Sequence, residues 1–115
     1  MKICQPIEKD QGVENVLHGH FRTSPRFLIF NSENKELQSF EGAPEKNEKK
    51  DCQHARLLKE QQVDIAIVGG ITRDCLARLY NLGIKVYQAA GQFVDENLKS
   101  FQNGELKELT FENIH

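Results

Sequence analysis

Apolar positions along this chain fall into two rhythms. In the first forty residues they come as short clusters. Ile3 and Ile7 frame an N-terminal strand over Lys2–Glu8, with Pro6 marking a bulge or a strand end. Phe27–Phe30 is a compact aromatic and β-branched run and predicts a buried strand. Asn31–Lys35 carries turn chemistry, and the alternation of Leu37–Glu41 predicts a hairpin partner for the strand before it. Between the first two strands, Lys9–Ser24 holds no sustained period. It contains Gly12, Gly19 and two histidines, which predicts a long loop of the kind that carries function.

The second half alternates helical and extended periods. Residues 42–51, rich in charge and poor in apolar side chains, predict a solvated linker loop. Asp51 is placed to cap a helix over Cys52–Gln62, with Ala55 and Leu58 on one face. Val63–Val68 is a near-continuous apolar run, the pattern of a strand covered on both faces. Gly69 and Gly70 end it. Thr72 can cap a second helix bearing Cys75, Leu76, Leu79 and Leu82, which Gly83 stops. Ile84–Tyr87 reads as another strand, and Val94, Leu98 and Phe101 mark a third helix with Asp95 and Glu96 in its first turn. Glu105–His115 fits either a tail or an edge strand. Strand–helix–strand units imply parallel strands with right-handed crossovers, and the hairpin adds an antiparallel member. The expectation is one domain over residues 1–115, a three-layer α/β/α fold with a mixed sheet of about five strands.

Composition narrows the function classes. The chain has 115 residues, with 15 Lys and Arg against 17 Asp and Glu, a formal charge of −2. Charges of both signs alternate, so no basic surface for a phosphate backbone is visible, and nucleic acid is not an expected partner. No apolar run approaches a membrane span and Met1–Asp10 has no signal-peptide core, so a cytoplasmic address is the default. The three cysteines, Cys4, Cys52 and Cys75, form no CxxC pair, which argues against a disulfide framework, a structural zinc site or a four-thiolate cluster. They are expected to be thiols, with Cys4 and Cys75 in the core.

Several residues carry candidate chemistry. In an extended loop His18 and His20 point the same way and could approach one ion; the alternative is a histidine that caps a turn or packs against Phe21. Cys52, at a predicted helix start, is a soft-ligand candidate; His54 diverges from it around a formed helix, so only Cys52, or a frayed first turn, could ligate, and the alternative is a surface cysteine and a polar histidine. Gly69, Gly70 and Thr72 before a helix resemble an anion cradle, to which Arg73 and Arg22 can add charge; the alternative is a tight strand-to-helix turn. A metal-dependent hydrolase needs converging carboxylates, but the expected strand positions carry Cys4, Gln5, Phe30 and Ile67. No cysteine–histidine pair has a triad signature, so an enzyme is not expected.

An ordered set of segments carries a resemblance. MKICQPIE, a loop ending HGHF, SPRFLIF, VDIAIVGGI, ARLYNLGIKVY and AGQFVDENLKSFQNGEL follow one another over roughly Met1–Leu106. Together they resemble the dinitrogenase iron–molybdenum cofactor biosynthesis family, the nitrogenase accessory-factor domains of the NifX/NafY type. The resemblance implies a ribonuclease H-like fold. It also implies a small carrier that binds an iron–sulfur or iron–molybdenum cluster as transient cargo and passes it between cofactor-assembly or acceptor proteins. It places the cluster-binding histidine at His20. The chain departs from the family pattern at Arg22 and Thr72, where Gly is usual, and at Phe93, where a capping Thr is frequent. The competing reading is a metal-free module of the same fold that binds a small anion or a protein.

Overall fold

The computed structural model describes residues 1–8, 15–42 and 53–112. Its elements run β1 (Lys2–Ile7), β2 (Arg26–Asn31), β3 (Leu37–Glu41), α1 (Gln53–Glu60), β4 (Ile65–Val68), α2 (Arg73–Asn81), β5 (Lys85–Gln88) and α3 (Val94–Gln102). Of the predicted linker at 42–51 only Gly42 is described; residues 43–51, with Cys52, lie outside the described residues. One five-stranded sheet has the order β3-β2-β1-β4-β5. β1 pairs antiparallel with β2, and β2 antiparallel with β3. β1 and β4 are parallel, with Ile3 opposite Ile65, and so are β4 and β5, with Ala66 opposite Val86.

Strand alternation divides the core between the two faces of the sheet. Cys4, Phe27, Ile29, Ala66, Val68 and Val86 point to one side and pack with Ala55 and Leu58 of α1 and Leu76 and Leu79 of α2. Ile3, Ile65 and Ile67 point to the other and meet Leu98 of α3, while Ile7 and Leu28 meet Val94. Two helices on one face and one on the other make the mixed sheet the middle of three layers, as the sequence predicts. Each fully buried Leu, Ile or Phe contributes about 1.5–3 kcal/mol of transfer free energy.

All three helices end alike. After α1 the Gln62 and Val63 amides donate to Lys59 and Leu58; after α2 the Gly83 and Ile84 amides donate to Tyr80 and Leu79; after α3 the Gly104 and Glu105 amides donate to Phe101 and Ser100. This paired closure requires a left-handed residue, and Gly83 (φ 80°), Gly104 (φ 73°) and Gln62 (φ 61°) supply it.

One open reading resolves and one expectation changes. The C-terminal segment is an edge pairing rather than a loose tail: Tyr87 bridges Glu108 antiparallel, and Gln88 and Leu109 amides bond Lys107 and Val86 carbonyls. Cys75 is buried in the core as expected but is disulfide-bonded, not a thiol. Spacing along a chain says nothing about which sulfurs meet across elements. Cys4 is a free, buried thiol, pushed well above its ordinary value by burial. Among the described residues no helix is long and apolar enough to cross a membrane.

Candidate functional site

The parallel strands β1 and β4 are neighbours whose chain connections leave in opposite directions, one toward β2 and one toward β5. Crevices at the carboxyl ends of such strands are where α/β sheets bind ligands. The segment 15–24 crosses that end. Leu17 bridges Ile7, the His18 amide donates to the Pro6 carbonyl at 2.8 Å, and the Leu17 amide donates to Gln92 at 2.7 Å. Val16 bridges Phe93 beside α3. Further on, His20 bridges Gly70 in a parallel sense, and the Phe21 amide donates to the Gly70 carbonyl at 2.9 Å.

Gly69 and Gly70 permit this approach. A Cβ on Gly70 would stand 3.0 Å from the Gly19 carbonyl oxygen and 3.4 Å from His20 Nδ1, and one on Gly69 would stand 3.2 Å from the same oxygen. The carbonyls at the end of β4 are fully employed. Val68 accepts from the Ala89 amide, Gly69 from Gln88 Nε2 at 2.8 Å, and Gly70 from Phe21. The glycine turn is therefore the seat of the histidine loop. His20 stays exposed above it, while Phe21, the next residue, is fully buried.

The remaining predicted residues separate. His18 directs Nδ1 toward the Glu8 carboxylate at 3.5 Å and Nε2 toward the Thr23 hydroxyl at 3.2 Å, so both ring nitrogens face protein partners. Thr72 caps α2, its hydroxyl accepting from the Cys75 amide at 3.2 Å. Arg73 reaches the Phe111 carbonyl at 3.5 Å, on the C-terminal segment. Arg22 is half-buried in the same loop as His20. Cys52 lies outside the described residues. No group of three or more His, Cys, Asp or Glu side chains gathers as a metal site among the described residues.

A residue read only as a polar histidine proves central. His54 is 3% exposed, in the first turn of α1, and its Nδ1 lies 3.0 Å from the Phe21 carbonyl oxygen. Its i+4 relation to Leu58, buried on the same helix, is the signal that could have placed it inward. Gln88, which ties the glycine turn, carried no signal beyond its position after a strand.

The family model for dinitrogenase iron–molybdenum cofactor matches residues 1–104. The chain belongs to this family. An uncharacterized protein of Methanocaldococcus jannaschii is 31% identical over 115 residues, covering 95% of this chain and 92% of that one. Among solved structures, the apo form of the orange protein from Desulfovibrio gigas superposes with a TM-score of 0.84 at 16% identity, covering 95% of this chain and 92% of that one. A Thermotoga protein described as a NifB candidate has a TM-score of 0.78 at 23% identity, covering 96% and 95%. At these identities the structural likeness shows the fold. Family membership associates the chain with nitrogenase cofactor assembly.

Proposed function

We propose that this protein is a small cofactor carrier. It holds an iron–sulfur or iron–molybdenum cluster, or a precursor, through His20 and passes it to an assembly or acceptor protein. The observation that carries this reading is an exposed imidazole on a backbone pinned against the Gly70 turn, at the carboxyl ends of the parallel strands. Neutral imidazole is a good ligand for iron. A cluster that brings its own sulfides needs few protein ligands, and few ligands favour release. His18 joins His20 only by giving up Glu8 or Thr23, which makes it the weaker ligand. Arg22, two residues after His20, supplies positive charge to the rim for an anionic cargo. Gly69 and Gly70 shape that rim. Family membership supports an accessory role rather than an enzymatic one.

Anaerobic reconstitution tests the reading. The reduced protein is mixed with iron and sulfide, or with isolated nitrogenase cofactor. Charge-transfer absorption in the wild type, reduced at least about tenfold in His20→Ala, is the expected result, since one ligand or its oriented partner commonly sets tenfold or more in affinity. Equal absorption in the variant overturns the assignment to His20. A clean apoprotein that binds a small anion instead favours the metal-free module.

A further inference from the structure

We infer that His54 is the positioning residue of the His20 site and acts through the carbonyl of Phe21. This deepens the carrier reading for the cargo, but the geometry stands without cargo. A carbonyl oxygen only accepts, so at 3.0 Å His54 Nδ1 must bear the proton and donate. The Phe21 residue is thereby held from both ends. Its amide is spent on the Gly70 carbonyl of the β4 turn, and its carbonyl accepts from His54 in the first turn of α1 at 3.0 Å and from the Ser24 amide at the longer distance of 3.3 Å. Its ring is buried, 5.4 Å from that of Phe27 and edge-on to His54 at 5.8 Å. His54 in turn meets Phe27 edge-on at 5.0 Å. A loop residue whose amide and carbonyl are both bonded and whose ring is buried leaves its neighbour little freedom, and that neighbour is His20.

The seat is built for a ring at position 54. A Cβ on Gly42 would run into the Ser24 carbonyl oxygen and stand 2.9 Å from His54 Nε2. The end of β3, the turn at 21–25 and the start of α1 therefore close around one imidazole. A ligand side chain on a loop is only as well aimed as the group behind it, and here that group is a histidine from a different element.

Three measurements decide it. In the wild-type apoprotein, nitrogen NMR of the His54 ring should show the proton on Nδ1; a bare Nδ1 overturns the inference with no variant needed. His54→Phe keeps a ring in the seat without a donor. It should speed exchange of the Phe21 amide by about tenfold relative to the Leu79 amide of α2, the scale set by one hydrogen bond lost from a local opening reaction. His54→Asn, whose Nδ2 replaces Nδ1, should bring exchange back to within about threefold of wild type. Unchanged exchange in His54→Phe, or no recovery in His54→Asn, overturns it. In the reconstituted protein, His54→Phe should also shift the charge-transfer band and His54→Asn restore it. Absence of any band in the wild type counts against the carrier reading alone, because the exchange and NMR results need no cluster.

Discussion

Phe93 stands at the N-cap of α3 with extended backbone (φ −101°, ψ 135°) and no side-chain bond to the helix amides. It is exposed, one of the large apolar side chains left at the surface. Phe93→Thr should stabilise the fold by about 1 kcal/mol, the usual worth of a capping oxygen, read as a shift in denaturant midpoint. Gln62 presents the same kind of opportunity. It occupies a left-handed position that Gly83 and Gly104 fill at the other two helix ends. Gln62→Gly should stabilise by up to about 1 kcal/mol, and Gly83→Ala should destabilise by a similar amount, measured by thermal melts. His54 shows the limit of reading single residues. The sequence marked it only as a polar residue near a helix start, yet its burial and bond to Phe21 make it part of the core. A histidine's polarity is silent about whether a partner waits inside the fold.

At the scale of elements, hydrophobic period decided most of the architecture. The alternation between strands and the three- and four-residue steps of the helices placed every element, with ends shifted by one or two residues. Val63 and Asp64 precede β4 rather than opening it, although the Asp64 amide and carbonyl already bond Lys2 and Lys85. The candidate site was legible only in part. The glycine pair and the two histidines stood out, but their roles depended on contacts between elements far apart in sequence. Gly70 exists to admit Gly19 and His20, a relation no local pattern encodes. Thr72 and Arg73, read as an anion rim, are engaged as a helix cap and as a bond to the C-terminal segment. Gly70→Ala should therefore displace the histidine loop. The cost should be about 1–3 kcal/mol, as for overpacking, with a local rise in exchange at the Phe21 amide.

For the molecule as a whole, the C-terminal segment closes the sheet. Residues 107–109 occupy the outer edge of β5, Leu106 and Leu109 pack against the two faces of the core, and Phe111 lies edge-on to Tyr80 of α2. Truncation after Gly104 should lower stability by about 2–4 kcal/mol from the lost apolar burial. It should also promote concentration-dependent association through the bared edge, seen by light scattering. Burial of Cys4 adds a dependence on pH. Its thiol is held above the ordinary value of 9.0, so the unfolded chain ionises first. The neutral thiol's contribution is whole below that value and falls as pH rises past it. Unfolding midpoints compared between pH 8 and pH 10 should fall more for the wild type than for Cys4→Ala, and iodoacetamide should spare Cys4 in the native protein.

The strand order has a consequence for how the chain is made. β1, the first strand of this sheet to leave the ribosome, pairs with β2, but its other edge is reserved for β4, with Ile3 opposite Ile65. Until β4 has been synthesised, the nascent sheet is a three-stranded meander with both apolar faces bare and with the β1 edge, internal in the finished sheet, unpaired. Pairings so distant in sequence are slow to form and leave intermediates prone to aggregation. The vulnerable species in the life of this protein is therefore its half-made form, and a chaperone that covers the free edge of β1 would act there.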